Sequence, residues 1–334
     1  MSRPLSILAA LSAQELGDFL PGPLLAQMRS LAAPFEHVET GRLPADEFHR
    51  LLAERDPEVL LTCWMTPPLP ANLPPRLRYV CHLSGSIKKI ITREHLERGL
   101  IASNWGGSIS RIVAEWALFH ILSCLRRATY WTLAMHREAG WKNGGTETAS
   151  LFGRRVGLHG FGQVARELTG LLRPFSCEVS VFAPDVDAAA EARYVVQRAA
   201  SLEELFSESE VIVELAPLVP ATAGIVSEAL LRRIRPGGVF VNVGRGAVVD
   251  EVALVKIARE GKIMVGLDVF TVEPLPADSG LRGLENVTLT PHLAGPTTDR
   301  RRDAGEFALD NVRAYADGSP LAAVITPQTF DAMT

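Results

Sequence analysis

Only four cysteines occur in 334 residues, Cys63, Cys81, Cys124 and Cys177, and no two of them form a C-x-x-C pair. That spacing excludes the common zinc and dithiol motifs. The four read as reduced, mostly buried thiols, and no metal is expected. Nowhere do 18 apolar residues run together, so a membrane-spanning helix is excluded on length. A dominant charge is missing too. The formal net charge is -4, and no basic block is long enough to track a phosphate backbone. Nucleic acid and membrane are therefore not expected as partners. The opening "MSRPLSILAALSAQE" has the apolar run of a secretory leader but a basic region of one residue, Arg3. It reads better as the first strand of a domain, and a cytoplasmic location is expected.

What the chain does have is alternation. "LSILAAL", "FEHVET", "EVLLTCW", "LRYVCHL" and "LIASN" read as strands with helical segments between them, the pattern of a small doubly wound unit. A proline-rich stretch from Pro67 to Pro75 belongs on its surface. Residues 108–138 lack proline and glycine and predict one unusually long helix. Its Trp116, Phe119, Ile121 and Leu125 suit either a core or a dimer face, with core the plainer reading for most. After a glycine-rich loop the alternation restarts with "RRVGLHGFG" and continues to "NVTLTPH", predicting a second, larger sheet. The fold class is α/β, with two doubly wound parallel-sheet domains.

The run "GLHGFGQVA" carries G-x-G-x-x-A at Gly160, Gly162 and Ala165, directly after a strand and at the start of a helix. Gly160 permits the tight turn, Gly162 lets the backbone approach a pyrophosphate, and Ala165 allows the helix to pack closely on the sheet. Phe161, Gln163 and Val164 complete the turn and the helix N-terminus, which favours negative charge. The larger domain is therefore expected to be a Rossmann dinucleotide-binding domain. The next strand ends in "VFAPD", with Ala183 where an acidic residue normally meets the adenine ribose of NAD, and Asp185 two residues later. Asp185 either reaches the ribose or is a solvated turn residue. No arginine follows closely enough to announce a 2'-phosphate site, although Arg193 could fold back. NAD is expected ahead of NADP.

Three further motifs fall near the C-terminal ends of later strands, where an open parallel sheet places its ligand crevice. They are "VNVGRGAVVDE" with Arg245, "GLDVFTVEPLP" with Asp268 and Glu273, and "LTPHLAGPT" with His292. Their order and spacing, the helical segment before the glycine loop and "APLVPAT" at 216–222 resemble the D-isomer-specific 2-hydroxyacid dehydrogenase family over nearly the full chain. The resemblance implies a substrate-binding, flavodoxin-like domain of residues 1–103 and 295–334, and an NAD(P)-binding Rossmann domain of residues 104–294. It adds Ala216, Pro217, Thr222, Val243, Gly244 and Ala294, together with Arg245, Asp268 and His292, to the cofactor-binding positions. It also implies a homodimer, formed through the long helical region.

Reducing a keto acid requires a cation for the carboxylate and an acid that protonates the carbonyl oxygen as charge develops there. Arg245 offers a planar fork suited to the carboxylate. His292 is the natural acid and base because its ordinary pKa lies near neutrality. The resemblance assigns Glu273 to the second ring nitrogen and gives Asp268 a supporting role. Each residue has a plain structural alternative: a solvated arginine, a turn cap or a satisfied loop histidine. Together, in family order at strand ends, they point to one site. His159 reads as a packing residue near the cofactor loop.

On the substrate side, "HLSGSIKKI" matches the family's small-residue loop, whose amides hold the substrate carboxylate. Ser84, Gly85 and Ser86 are the candidates. Lys88 and Lys89 depart from the family text, and a more acidic substrate follows if either faces the ligand. Trp64 and Met65 are expected to line the side-chain pocket, with Trp105 narrowing it. The expected reaction interconverts a 2-keto acid and a 2-hydroxy acid, the D isomer being carried over from the family. The alternatives are an NAD(H)-sensing, corepressor-like protein that retains the site, and a family dehydrogenase acting on a non-carboxylate substrate such as phosphite.

Overall fold

The computed structural model describes residues 4–142, 147–184 and 186–332. The chain divides into two compact units, Met1–Ile109 with Pro296–Thr334, and Ser110–Gly295.

The first unit is built on five parallel strands: β1 (Leu5–Leu11), β2 (Ala32–Glu39), β3 (Val59–Thr62), β4 (Tyr79–His82) and β5 (Ile101–Ser103). They lie in the order β2-β1-β3-β4-β5, the flavodoxin-like arrangement. β1, apolar except at Ser6, is buried at every position, as a strand covered on both faces requires. Phe48 and Leu52, one turn apart on the Ala45–Arg55 helix, bury themselves among Leu8, Leu60 and Val80. Burying a side chain of that size contributes about 1.5–3 kcal/mol. The Arg301–Asp317 helix belongs to this unit. Its Gly305 lies so close to the Phe19 carbonyl that a Cβ would come within 1.7 Å of the oxygen. Ile325 then donates its amide to Ala102 at 2.8 Å, tying the C-terminal segment beside β5.

The second unit holds seven parallel strands: β6 (Arg155–His159), β7 (Glu178–Phe182), β8 (Gln197–Arg198), β9 (Val211–Glu214), β10 (Val239–Asn242), β11 (Met264–Leu267) and β12 (Val287–Leu289). Their order is β12-β11-β10-β9-β6-β7-β8, which reverses direction between β6 and β9 and so places a ligand crevice at the carboxyl ends of those two strands. Alternate residues serve opposite faces: Val211 and Val213 join one core, Ile212 the other.

The single long helix expected over 108–138 is two helices, Ser110–Arg126 and Ala128–Glu138, broken at Arg127 with φ +50°. No glycine or proline marks the break. The guanidinium of Arg127 sits 4.4 Å from the Tyr130 ring centroid one turn on and 3.7 Å from Glu285 across the chain, and these two contacts accompany the left-handed residue. Ile121 and Leu125 are core as read, whereas Phe119 is 43% exposed. Among the described residues no helix is long and apolar enough to cross a membrane.

Candidate functional site

At the end of β6 the chain turns through Gly160, whose φ is +91° and where a Cβ would come within 2.8 Å of the Ala216 backbone, so no side chain fits. Gly162 then caps the Gln163–Leu172 helix with no side-chain acceptor, and the space where its Cβ would point is open. Uncapped amides at a helix start beside an unfilled glycine fit a pyrophosphate. Ala165 is fully buried, as close helix packing demands. Phe161 is buried in the core, edge-on to Tyr194, so only its backbone is left for a ligand, while Gln163 stays exposed. Ala183 is buried at the end of β7, and Asp185 lies outside the described residues. Arg193 stacks on Tyr194, 5.3 Å from its centroid. Thr222 closes the loop begun by Ala216 and Pro217, donating to the Pro217 carbonyl at 2.5 Å and accepting from the Val219 amide at 2.9 Å.

His159 and Glu214 end the two strands that flank the crevice and are paired in register. Both are buried, and Nδ1 of the histidine lies 2.5 Å from the carboxylate, whose other oxygen accepts from the Ala216 amide at 2.8 Å. His159 is thus half of a buried pair that ties the Ala216 loop to the glycine turn. Reading it as packing missed Glu214.

Further along the same edge, buried Asn242 clamps the Gly244–Arg245 turn. It accepts from the Gly244 amide and donates to the Arg245 carbonyl, both at 3.0 Å. Val243 is buried beneath the turn. Arg245 is half-buried with one Nη on the Gly244 carbonyl at 2.8 Å. Desolvation lowers its pKa, and the charge of Glu273 opposes that shift. Gly246 is pressed on the Phe270 backbone, where a Cβ would come within 2.0 Å, so the turns after β10 and β11 touch main chain to main chain. Asp250 caps the next helix through the Ala253 amide at 3.0 Å, a contact worth about 1 kcal/mol.

Glu273 accepts from the Phe270 amide at 3.0 Å through one oxygen and meets Nδ1 of His292 at 2.7 Å through the other. His292 has a φ of +53°, a region that side-chain-bearing residues rarely occupy and keep only when their surroundings over-determine them. Asp268 does so. Its carbonyl accepts from the His292 amide at 2.9 Å. Its fully buried carboxylate accepts from the amides of Leu293 and Ala294 at 2.8 Å, the Thr290 hydroxyl at 2.5 Å and the Trp116 indole at 3.0 Å. His120, one turn beyond Trp116, reaches the same threonine at 2.9 Å, and burial pushes its ring pKa down to about 4. Trp116 and His120 hold the turn that carries His292, and composition gave no signal for either, because both lie on a helix that reads as core.

The first-unit candidates form a separate group. Ser84 is fully buried, and its hydroxyl points inward to Nε2 of His82 at 2.6 Å. Nδ1 of His82 is held by Thr62 at 2.8 Å, and burial pushes that ring's pKa down to about 3. The side chain of Ser84 is therefore committed to the loop's own support. Among the described residues the amides of Ser84, Gly85, Ser86 and Ile87 donate to no main-chain acceptor. Trp64 and Met65 are both about half exposed. Lys88 donates to the Asp331 carbonyl at 3.3 Å and lies over Phe330.

Residues 118–294 match the family described as "D-isomer specific 2-hydroxyacid dehydrogenase, NAD binding domain". A hydroxyphenylpyruvate reductase of Plectranthus scutellarioides is 32% identical over 249 residues, 74% of this chain and 78% of its own length. A glyoxylate reductase of Korarchaeum cryptofilum is 30% identical over 77% of this chain and 80% of its own length. Among solved structures, the apo D-mandelate dehydrogenase of Rhodotorula graminis shares the fold, with a TM-score of 0.83 at 22% identity over 96% of this chain and 98% of that one. A glycine turn shaped for a dinucleotide and a histidine–carboxylate pair on the same sheet edge agree with this match: the chain belongs to the D-isomer specific 2-hydroxyacid dehydrogenase family, as an NAD(P)-dependent oxidoreductase.

Proposed function

We propose that this enzyme interconverts a 2-keto acid and its D-2-hydroxy acid, with His292 as the proton donor and acceptor. The observation that carries this reading is the 2.7 Å contact between His292 Nδ1 and Glu273, made by a histidine whose backbone is pinned by Asp268. Glu273 fixes the proton on Nδ1 and orients the ring, which leaves Nε2 to face the reacting oxygen. In reduction Nε2–H gives its proton to the carbonyl oxygen. In oxidation neutral Nε2 takes the hydroxyl proton. Arg245 binds the substrate carboxylate through its planar fork. Asp268 acts through the main chain of the His292 turn and is a positioning residue.

Gly160, Gly162, Gln163 and Val164, with Ala216, Thr222, Gly244 and Ala294, would hold the dinucleotide, which supplies the hydride donor or acceptor when bound. With Ala183 at the end of β7, no acid stands at that position to reject a 2'-phosphate, so both NADH and NADPH belong in the assay. In the first unit, read as the substrate-binding domain, the Ser84, Gly85 and Ser86 amides offer themselves to an anion. Phe119, Leu133 and Met135, exposed on the two helices that meet at Arg127, leave apolar surface there for a homodimer contact. A cytoplasmic location completes the reading.

The test is oxidation of NADH, and separately of NADPH, with glyoxylate, hydroxypyruvate, pyruvate and phenylpyruvate. Turnover that drops roughly a hundredfold or more in His292→Ala supports the proposal. Dinucleotide binding without turnover on any acid would instead favour a sensing protein.

A further inference from the structure

The first unit carries an aromatic surface built against its proposed anion loop. Trp105 lays its ring on Gly85, where a Cβ would stand 3.0 Å from Cζ2, so any side chain there would press on the indole. The loop and the Asn104–Trp105 segment are joined by two hydrogen bonds, from the Trp105 main-chain amide to the Ser84 carbonyl at 3.3 Å and from the Asn104 side chain to the Gly85 carbonyl at 2.7 Å. Trp64 meets Trp105 edge to face, with centroids 6.1 Å apart, and is backed by fully buried Phe19 at 5.3 Å. Even so, Trp64 is 47% exposed and its neighbour Met65 48%, adjacent large apolar side chains left open on a strand-end loop. Met65 is not loose: its amide donates to the buried carboxylate of Glu15 at 2.9 Å.

Three charged groups around this surface already have partners. Arg301 lies 5.4 Å over the Trp64 ring, but its guanidinium bonds Asp18 at 2.5 Å. Glu15 is occupied by the Ser12 amide and hydroxyl as well as by Met65. Lys88 is turned to the C-terminal helix. Arg301 and Lys88 thus already have partners, whereas a flat apolar group would gain two indoles and a thioether.

We infer that the substrate is a 2-keto acid with an aromatic side chain, and that Trp64 and Trp105 are its specificity-determining residues. A carboxylate seated on the Ser84–Ile87 amides lies beside Trp105, so the group attached to the keto carbon falls on the indole pair. Glyoxylate would leave that surface wet. The inference rests on the keto-acid reading above.

The test compares kcat/KM for phenylpyruvate, glyoxylate and oxaloacetate in the full-length protein, in Trp64→Ala and in Trp64→Phe, with calorimetric binding of phenylpyruvate in parallel. Phenylpyruvate should lead both others by about tenfold or more. The phenylpyruvate-to-glyoxylate ratio should fall about tenfold in Trp64→Ala and recover in Trp64→Phe. A lead by glyoxylate or oxaloacetate, or a ratio that Trp64→Ala does not move, overturns it. If no acid is turned over, the reaction assignment fails by itself, and calorimetry decides here. Phenylpyruvate binding weakened about tenfold in Trp64→Ala sustains the aromatic site; equal or absent binding removes it.

Discussion

Two strand-end turns hold short loops rigid with opposite use of charge. After β12, the buried carboxylate of Asp268 absorbs two amides, a hydroxyl and an indole, so the donors of the His292 turn are spent on holding it. After β4, the support is neutral His82, which grips the Ser84 side chain and leaves the amides of residues 84–87 with no main-chain acceptor among the described residues. An anion under a loop suits a group that must carry a proton above it. An uncharged prop suits a loop that must receive an anion, because a carboxylate there would repel the ligand and consume its donors. The same structural task is solved by whichever charge leaves the right groups over.

Acid should break this comparison most strongly. Burial places His82 and His120 at about 3 and about 4, below the ordinary 6.5, so the unfolded chain binds more protons and stability falls as pH drops from 6.5 toward those values. The loss is about 1.4 kcal/mol per pH unit for each histidine. Urea unfolding between pH 7 and 4 should show it, with a shallower slope in His82→Asn.

Next in size is Asp268→Asn, which puts an amide where the Leu293 and Ala294 amides need acceptors. We expect kcat to fall roughly a hundredfold and dinucleotide affinity to fall by much less, measured by steady-state kinetics beside NADH fluorescence titration. Trp116→Phe removes one of the four donors while keeping the ring. It should cost about tenfold in kcat and leave KM for the keto acid unchanged; an equal rise in KM would mean the indole is only packing.

Much of this was legible because it is periodic or local. Apolar runs of strand length gave both sheets, and the glycine spacing gave the turn after β6. Arg245, Glu273 and His292 each had a plain structural alternative and stood out only together, through their family order and spacing near strand ends. Contacts between distant residues were not legible. Trp116 and Asp268 are 152 positions apart, and a tryptophan in an apolar helix carries no mark of donating to a buried acid. Glu214 looked like any strand end until its register partner His159 was known. Ser84 was chosen for its loop, but its hydroxyl turned inward because His82, two residues earlier, needed a partner. The break at Arg127 is accompanied by contacts to Tyr130 and Glu285, not by a helix-breaking residue.

Gly246 sets a limit for anyone who would redesign this enzyme. With the Arg245 turn resting directly on the backbone of Phe270, position 246 tolerates no substitution, and changing either turn forces the other to move. A mutant library aimed at new substrates would waste its members there. The accessible diversity lies at Trp64 and Met65, whose half-open side chains can be exchanged without parting two strands.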